Sequence, residues 1–363
     1  MKRTKFYNCH LAENAKIVDF AGYEMPIQYS SIIAEHKAVR ESVGVFDVSH
    51  MGEIFIKGEK ALEFVQHITV NNAAKLEVGK VQYSAMCYEN GGIVDDLLVY
   101  MISESEYMLV VNGANKDKDH EWMKKNNSFN VEICDESDEY SLLAVQGPNS
   151  RKVIEKVFNS NIELDYYTFL TLQIFDTKII VSRTGYTGEL GYELYFKGST
   201  EIAESIWNKI FEAGKEFNIL PTGLGCRDSL RLEMGYCLYG NDIDSTTTVL
   251  EAGLGWITKL KKGEFIGREF LEQQKEKGLS KKLVPMIIDG KAFPRKDYEI
   301  AKDDKIIGII TSGTVSPILQ RPIALGYVSS EFAAVGENVD IIIRGKKNTA
   351  TITKLPFVKT NEN

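Results

Sequence analysis

Apolar residues recur along this chain with two different periods, and the order in which those periods alternate predicts the class of fold. Residues 52–57 alternate apolar with polar and predict a strand, whereas Ala61, Phe64, Val65 and Ile68 carry the spacing of a helix over 59–68. Three strand-like runs follow at 82–88, 93–100 and 107–111, and Asn90-Gly91-Gly92 between the first two predicts a hairpin. A helix over 116–125 and a strand over 129–134 come next. Runs at 141–145 and 174–182 bracket a helix that begins near Asn149, a long amphipathic helix fills 199–217, and a shorter one lies between Gly223 and Gly235. Strands this crowded pair most simply as antiparallel neighbours, so the pattern predicts α+β architecture and not the strand-helix rhythm of a doubly wound sheet.

The character changes from Leu283 onward. Short alternating segments at 305–310, 323–328, 339–343 and 349–353 recur with turn residues between them, which predicts a small all-β module, a barrel or a sandwich. At 363 residues the chain exceeds one ordinary core. The expected division is a region over 1–275 built of two interleaved α+β subdomains, and a barrel-like domain over 283–358. The polar stretch 272–282 marks the boundary between them.

Composition narrows the class of function. A hydrophobic content of 44% with 26% charged residues describes a globular chain, and a net charge of -8 argues against nucleic acid as the main partner. The first thirty residues hold no apolar core of the signal-peptide kind, and no run approaches a membrane span, so a cytoplasmic protein is expected. Five cysteines and five histidines lie scattered, without Cys-x-x-Cys or His-Glu-x-x-His spacing. A disulfide framework and a metal centre are therefore not expected. His50 alone of the histidines lies in a stretch that attracts attention, Phe46-Asp47-Val48-Ser49-His50-Met51. Two basic clusters, Lys259, Lys261 and Lys262, then Lys291, Arg295 and Lys296, read either as solvated faces or as a local docking patch.

The sharpest chemistry lies in Gly91-Gly92-Ile93-Val94-Asp95-Asp96-Leu97-Leu98, where two adjacent carboxylates interrupt an otherwise buried strand. Strand alternation would put Asp95 with Ile93 and Leu97 on one face, and Asp96 with Val94 and Leu98 on the other. Whichever face is covered, one acid goes in, at a cost of several kcal/mol unless it is paired or hydrogen-bonded. The alternative is a hairpin whose acids sit at a wet edge. A second stretch, Arg183-Thr184-Gly185-Tyr186-Thr187-Gly188-Glu189-Leu190-Gly191-Tyr192-Glu193, lacks both the Walker and the dinucleotide fingerprints and presents an aromatic, Tyr186, and a carboxylate, Glu193. It is also readable as a glycine-rich hairpin with a surface acid. In the third, Gly223-Leu224-Gly225-Cys226-Arg227-Asp228-Ser229-Leu230-Arg231, helical spacing puts Arg227 and Arg231 one turn apart, either to orient an anionic group or to pair internally with Asp228.

Five motifs in register, the three above together with Asp47-Val48-Ser49-His50-Met51 and Thr311-Ser312-Gly313-Thr314-Val315-Ser316-Pro317, resemble the signature series of the glycine cleavage T-protein family, the aminomethyltransferases, over nearly the whole chain. The resemblance implies three domains around a central funnel that binds tetrahydrofolate. It implies a reaction in which the aminomethyl group on the lipoyl arm of the H-protein loses ammonia and its one-carbon unit passes to tetrahydrofolate as 5,10-methylenetetrahydrofolate. Carried over by position, Asp96 is the catalytic acid, Glu193 grips the pterin edge and Arg227 is its basic companion. Met51, Tyr83, Asn112 and Tyr186 line the folate pocket. Neither a metal nor a protein nucleophile is required.

Some positions depart from the family pattern. Cys226 and Met234 stand where alanine is usual, and Gln320-Arg321-Pro322 differs from the common sequence. The tail after Phe357 is variable and carries no assignment. Two other classes share the resemblance: a non-enzymatic folate-binding protein of iron–sulfur assembly, marked by a Lys-Gly-Cys-Tyr type motif where this chain reads Lys262-Gly263-Glu264-Phe265, and other folate-dependent transferases such as demethylases or the folate domain of a flavin oxidase. No Rossmann fingerprint accompanies the chain.

Overall fold

A computed structural model describes residues 1–360 and 362. Two sheets stack face to face at its centre. The first has the order Val81–Cys87, Ile93–Ser103, Glu106–Val111, Gly52–Lys57, Glu132–Asp135, every pair antiparallel. The second runs Phe169–Ile174, Thr177–Ser182, Gly191–Lys197, Tyr140–Gln146, Gly44–Asp47, Leu220–Pro221, with the last pair parallel and the others antiparallel.

Strand alternation decides which side chains fill which layer. Leu142 and Ala144 point between the sheets, while Leu143 and Val145 point outward under the helices Ser150–Phe158 and Thr200–Gly214. In the facing sheet Met108 and Val110 point inward, and Tyr107, Leu109 and Val111 outward beneath the helices Ala61–Ile68 and Lys116–Lys125. Each fully buried aliphatic side chain contributes roughly 1.5–3 kcal/mol. A one-residue slip would exchange every pair, so the register is firmly specified. Covering both faces also explains why these antiparallel strands read as nearly continuous apolar runs.

The predicted helix over 116–125 is found at Lys116–Lys125, and the Gly91 turn, at φ 77°, joins the predicted hairpin. Three expectations change. The run at 174–182 is two strands, Phe169–Ile174 and Thr177–Ser182, because Phe175 and Asp176 take φ of 49° and 58° and close a tight turn that neither residue type signals strongly. The strand expected over 129–134 begins at Glu132, since Phe129 instead packs its ring against Phe64 and His67. The segment 305–310 is the first half of a longer strand, Lys305–Val315, whose register shifts between Ile310 and Ser312.

The all-β module is a closed six-stranded barrel in the order Lys281–Ile288, Pro322–Ser329, Lys305–Val315, Glu299–Lys302, Asn338–Ile343, Lys346–Ile352, the last pairing back to the first. The polar stretch 272–282 spans the end of the helix Arg268–Lys277 and the start of the first barrel strand. One helix, Leu224–Met234, ties the barrel to the sandwich. Its Arg231 is 1% exposed and bonds Asp242 Oδ2 at 2.7 Å and Ser312 Oγ at 2.9 Å. Its Glu233 accepts from Ser316 Oγ at 2.6 Å and from His36 and Arg40 at 2.9 Å each. Removing one member of such a buried charge set would strand the others, at a cost of about 3–5 kcal/mol.

Candidate functional site

A cavity of about 730 Å³ opens where the two sheets, the helix Leu224–Met234 and the barrel converge. All seven residues singled out from the sequence line it: Met51, Tyr83, Asp96, Asn112, Tyr186, Glu193 and Arg227. Its remaining wall is largely aromatic and aliphatic, including Tyr236, Leu254, Leu283 and Leu325. Apolar walls with a few convergent polar groups are the usual make-up of a small-molecule site.

At one end stands Asp96. The alternation expected from Ile93 breaks, because the register with Val81–Cys87 shifts between Met86 and Cys87. Val94 thus joins Leu97 and Val99 in the layer beneath the helices, and Asp96 follows Leu98 and Tyr100 toward the inter-sheet side. Both acids are sequestered, not one. Asp95 is 0% exposed, whereas Asp96 keeps partial contact with solvent through the cavity. Tyr83 donates its hydroxyl to Asp96 Oδ2 and Asn112 donates its side-chain amide to Asp96 Oδ1, each at 2.9 Å. Burial, then the neighbouring Asp95, push the Asp96 carboxyl up to about 7, against the opposing pull of those two hydrogen bonds.

At the other end stand Glu193 and Arg227. The glycine-rich stretch is shaped by close packing: a Cβ at Gly185 or Gly191 would fall 2.1 or 2.3 Å from the side chain of Gln146, which the two glycines enclose. Glu193 follows on the strand Gly191–Lys197, and its Oε2 accepts from Thr184 Oγ1 and, at 3.1 Å, from the Tyr195 hydroxyl. Both donors reach the same oxygen. Arg227 extends from the first turns of its helix with its guanidinium 4.7 Å over the Tyr186 ring, which stacks on Tyr236 at 5.7 Å. Unlike Arg231, the Arg227 guanidinium makes no hydrogen bond or ion pair among the described residues. Guanidinium donors that no protein acceptor engages suit a ligand that brings acceptors of its own.

His50 also lines the cavity, near Arg227. Burial first, and then the Arg227 charge, push its imidazole down to about 4, so it is neutral at physiological pH, and its Nδ1 has no partner among the described residues. Tyr236, Leu254 and Trp256 were not singled out from the sequence. They lie in an aperiodic run between two helices, which offers no signal of its own. Lys262 leaves the docking patch. Its ammonium is drawn inward to the carbonyls of Gln66, Thr69 and Asn71 at 2.6, 2.5 and 2.8 Å, at the C-terminal end of the helix Ala61–Ile68, and burial pushes its pKa down to about 7.

Among the described residues no group of three or more His, Cys, Asp or Glu side chains is placed to hold a metal ion, and no helix is long and apolar enough to cross a membrane.

A two-sheet sandwich leading through one helix into a closed barrel, around a cavity lined by Asp96, Glu193 and an unpaired Arg227, defines a class. Residues 6–262 match the GCVT N-terminal domain, and residues 281–359 match the glycine cleavage T-protein C-terminal barrel domain. The chain is 51% identical over 362 residues to an aminomethyltransferase of Flavobacterium psychrophilum and 48% identical over 359 residues to one of Halothermothrix orenii, covering 99% of this chain and 100% of each relative. The crystal structure of glycine cleavage system aminomethyltransferase T from Bartonella henselae superposes with a TM-score of 0.92 at 32% identity, covering 99% of this chain and 98% of that one. The chain belongs to the glycine cleavage T-protein family, and its activity is that of a folate-dependent aminomethyltransferase.

Proposed function

We propose that the cavity takes tetrahydrofolate with its pterin edge between Glu193 and Arg227, and that Asp96 serves the transfer of a one-carbon unit from an aminomethyl group carried on the lipoyl arm of an H-protein. The observation that carries this reading is the unpaired guanidinium of Arg227 in the same cavity as a Glu193 carboxylate whose two donors both occupy Oε2. A carboxylate oxygen left open accepts the N–H groups of a 2-amino-4-oxo heterocycle, and a guanidinium supplies donors to its acceptors. Tyr83 and Asn112 hold Asp96 from the wall, and Met51 and Tyr186 add apolar and aromatic surface.

Attack of the first folate nitrogen on the carrier's methylene carbon breaks its C–N bond and releases ammonia. Departure of the lipoyl sulfur as a thiolate, which takes up the proton of that nitrogen, then leaves an iminium-like, cationic carbon on the folate. An ionised Asp96 stabilises that charge where it develops, from a carboxylate that two protein donors already hold in place. Asp96 then takes up the proton released when the second folate nitrogen closes the ring. Positioning two bound partners supplies much of the remaining rate. The decisive experiment combines the protein with aminomethyl-loaded H-protein and tetrahydrofolate. Stoichiometric ammonia and 5,10-methylenetetrahydrofolate are expected, and folate binding without either product would place the chain with the non-enzymatic folate binders.

A further inference from the structure

Behind Asp96, on the side away from the cavity, lies a second carboxylate layer that the proposed reaction does not use. Asp95 is completely buried and accepts from the Asn112 backbone N–H at 3.0 Å, the Asn112 side-chain amide at 2.9 Å and the Asn115 side-chain amide at 2.6 Å. The same Asn112 nitrogen donates to Asp96 Oδ1 at 2.9 Å and lies 3.2 Å from the Asp96 carbonyl. One carboxamide thus joins the buried acid to the cavity acid. Asp119, also 0% exposed, comes from the helix Lys116–Lys125 near enough to Asp95 to be felt as a charge. Neither of its carboxylate oxygens has a hydrogen-bond partner among the described residues, and Lys118 Nζ stands 3.3 Å from one of them.

Resting on the reading of Asp96 given above, we propose that Asp95, backed by Asp119, is a positioning residue that orients the Asp96 carboxylate through the shared Asn112 carboxamide.

Two neighbouring carboxyls away from water disfavour each other's ionisation, so the pair holds one proton and one negative charge at neutral pH. Burial, then the Asp119 charge, push Asp95 well up, and burial pushes Asp119 up to about 6 against the opposing pull of Asp95 and Lys118. The charge that remains holds the Asn112 amide in place and disfavours a second charge on Asp96. The groups facing this cluster are few. Lys118, reaching toward the Val94 carbonyl and Tyr239, faces Asp95 from the helix, and Tyr83, Tyr186 and Cys237 face Asp96 across the cavity. Asn112 is therefore less a pocket wall than the hinge between two acids with different tasks.

The test measures kcat, the tetrahydrofolate KM and the acidic limb of the kcat–pH profile for wild type, Asp95→Asn, Asp119→Asn and Asp96→Asn. Asp95→Asn removes the charge nearest Asp96. Its kcat should fall about tenfold while the folate KM stays within about threefold, and its acidic limb should move down by about one pH unit. Asp119→Asn confines the charge to Asp95, so its limb should move slightly up. A structural role alone would lower thermal stability and leave the limbs where they are. If Asp95→Asn does not fold, Asp119→Asn decides: an upward limb supports the proposal, and an unmoved or lowered limb overturns it. Wild-type kcat and limb in Asp95→Asn, beside an inactive Asp96→Asn, would sink the positioning role alone. Near-normal turnover in Asp96→Asn would sink the reading on which it rests.

Discussion

Each end of the cavity presents a carboxylate, and the two are held in opposite ways. Asp96 has one donor on each oxygen, Tyr83 on Oδ2 and Asn112 on Oδ1, so its plane is fixed. Glu193 receives Thr184 and Tyr195 on the same oxygen, Oε2, and shares the cavity with a guanidinium that is itself unpaired. A group that must meet a developing charge gains from a fixed direction and from a proton affinity near the working pH. A group that must recognise a ligand gains from open valences that nothing in the protein fills. On the function proposed above, the difference separates a reacting end from a recognising end within one pocket.

The largest expected effect breaks that division at the reacting end. Asp96→Asn keeps the shape and removes the charge, so turnover should fall by about two orders of magnitude or more, as when a preorganised electrostatic group is lost. Tetrahydrofolate affinity, measured by calorimetry, should stay near wild type. The recognising end should respond the other way round. Glu193→Gln places a donor against the pterin N–H edge, a buried mismatch of about 1–3 kcal/mol, which is roughly 5–150-fold in dissociation constant. Arg227→Ala should weaken binding similarly. Unchanged affinity in both variants would remove this pair from the pocket, and full activity in Asp96→Asn with loss in Asp95→Asn would mean that the other acid does the chemistry.

Legibility in the sequence follows the same line. Asp95-Asp96 stood out because charge inside an apolar strand is costly, and the helix Leu224–Met234 because glycines bound it at both ends. Which acid faces the cavity was not legible from alternation alone, since both faces of this strand are covered by apolar layers and only the fold shows which face borders the cavity. Arg227 and Arg231 look alike in sequence. They part because Asp228, Asp242 and Ser312 claim Arg231, and one of those partners, Ser312, lies in the barrel far along the chain. Tyr236 and Trp256 were missed for a related reason. Their segment has no period and is held by remote contacts such as Thr311 Oγ1 to Asp242 Oδ1 at 2.5 Å. The barrel was foreseen from its short alternating strands, but its closure depends on pairing between Lys281–Ile288 and Lys346–Ile352, ends that local pattern cannot join.

A smaller effect sharpens the reacting end through stability. The Asp96 carboxyl titrates near 7 in the folded protein and near its ordinary value of about 4 when unfolded. Below both values it is protonated in both states and contributes nothing. As pH rises from about 4 to 7 the unfolded chain ionises first, and the folded state loses relative stability. After allowance for its partial contact with solvent, the loss is on the order of 2 kcal/mol. Asp96→Asn should therefore melt at a higher temperature than wild type at pH 8, with the gap narrowing toward pH 5. An equal gap at both pH values would mean that Asp96 carries no raised proton affinity.

The smallest effect concerns neither end of the cavity but the surface through which an H-protein reaches it. A carrier that is acidic, as this chain is at net -8, gains nothing from overall charge and needs a local basic patch. Of the six cations considered, Lys262 is committed to helix carbonyls, while Lys259 and Lys296 reach the Trp256 and Gly240 carbonyls at 2.5 and 2.6 Å. Arg295 lies over the Phe293 ring at 5.8 Å, and Lys261 and Lys291 make no hydrogen bond or ion pair among the described residues. Exposed charges steer encounter and are screened by salt, so Lys261→Glu with Lys291→Glu should raise the KM for aminomethyl-loaded H-protein several-fold at low ionic strength and little at high, with kcat unchanged. Lys262→Met should do the reverse, lowering the melting temperature while leaving that KM alone. A double charge reversal whose KM matches wild type from low to high salt would move the docking surface elsewhere. A raised KM in Lys262→Met would return that lysine to the surface from which its carbonyl contacts remove it.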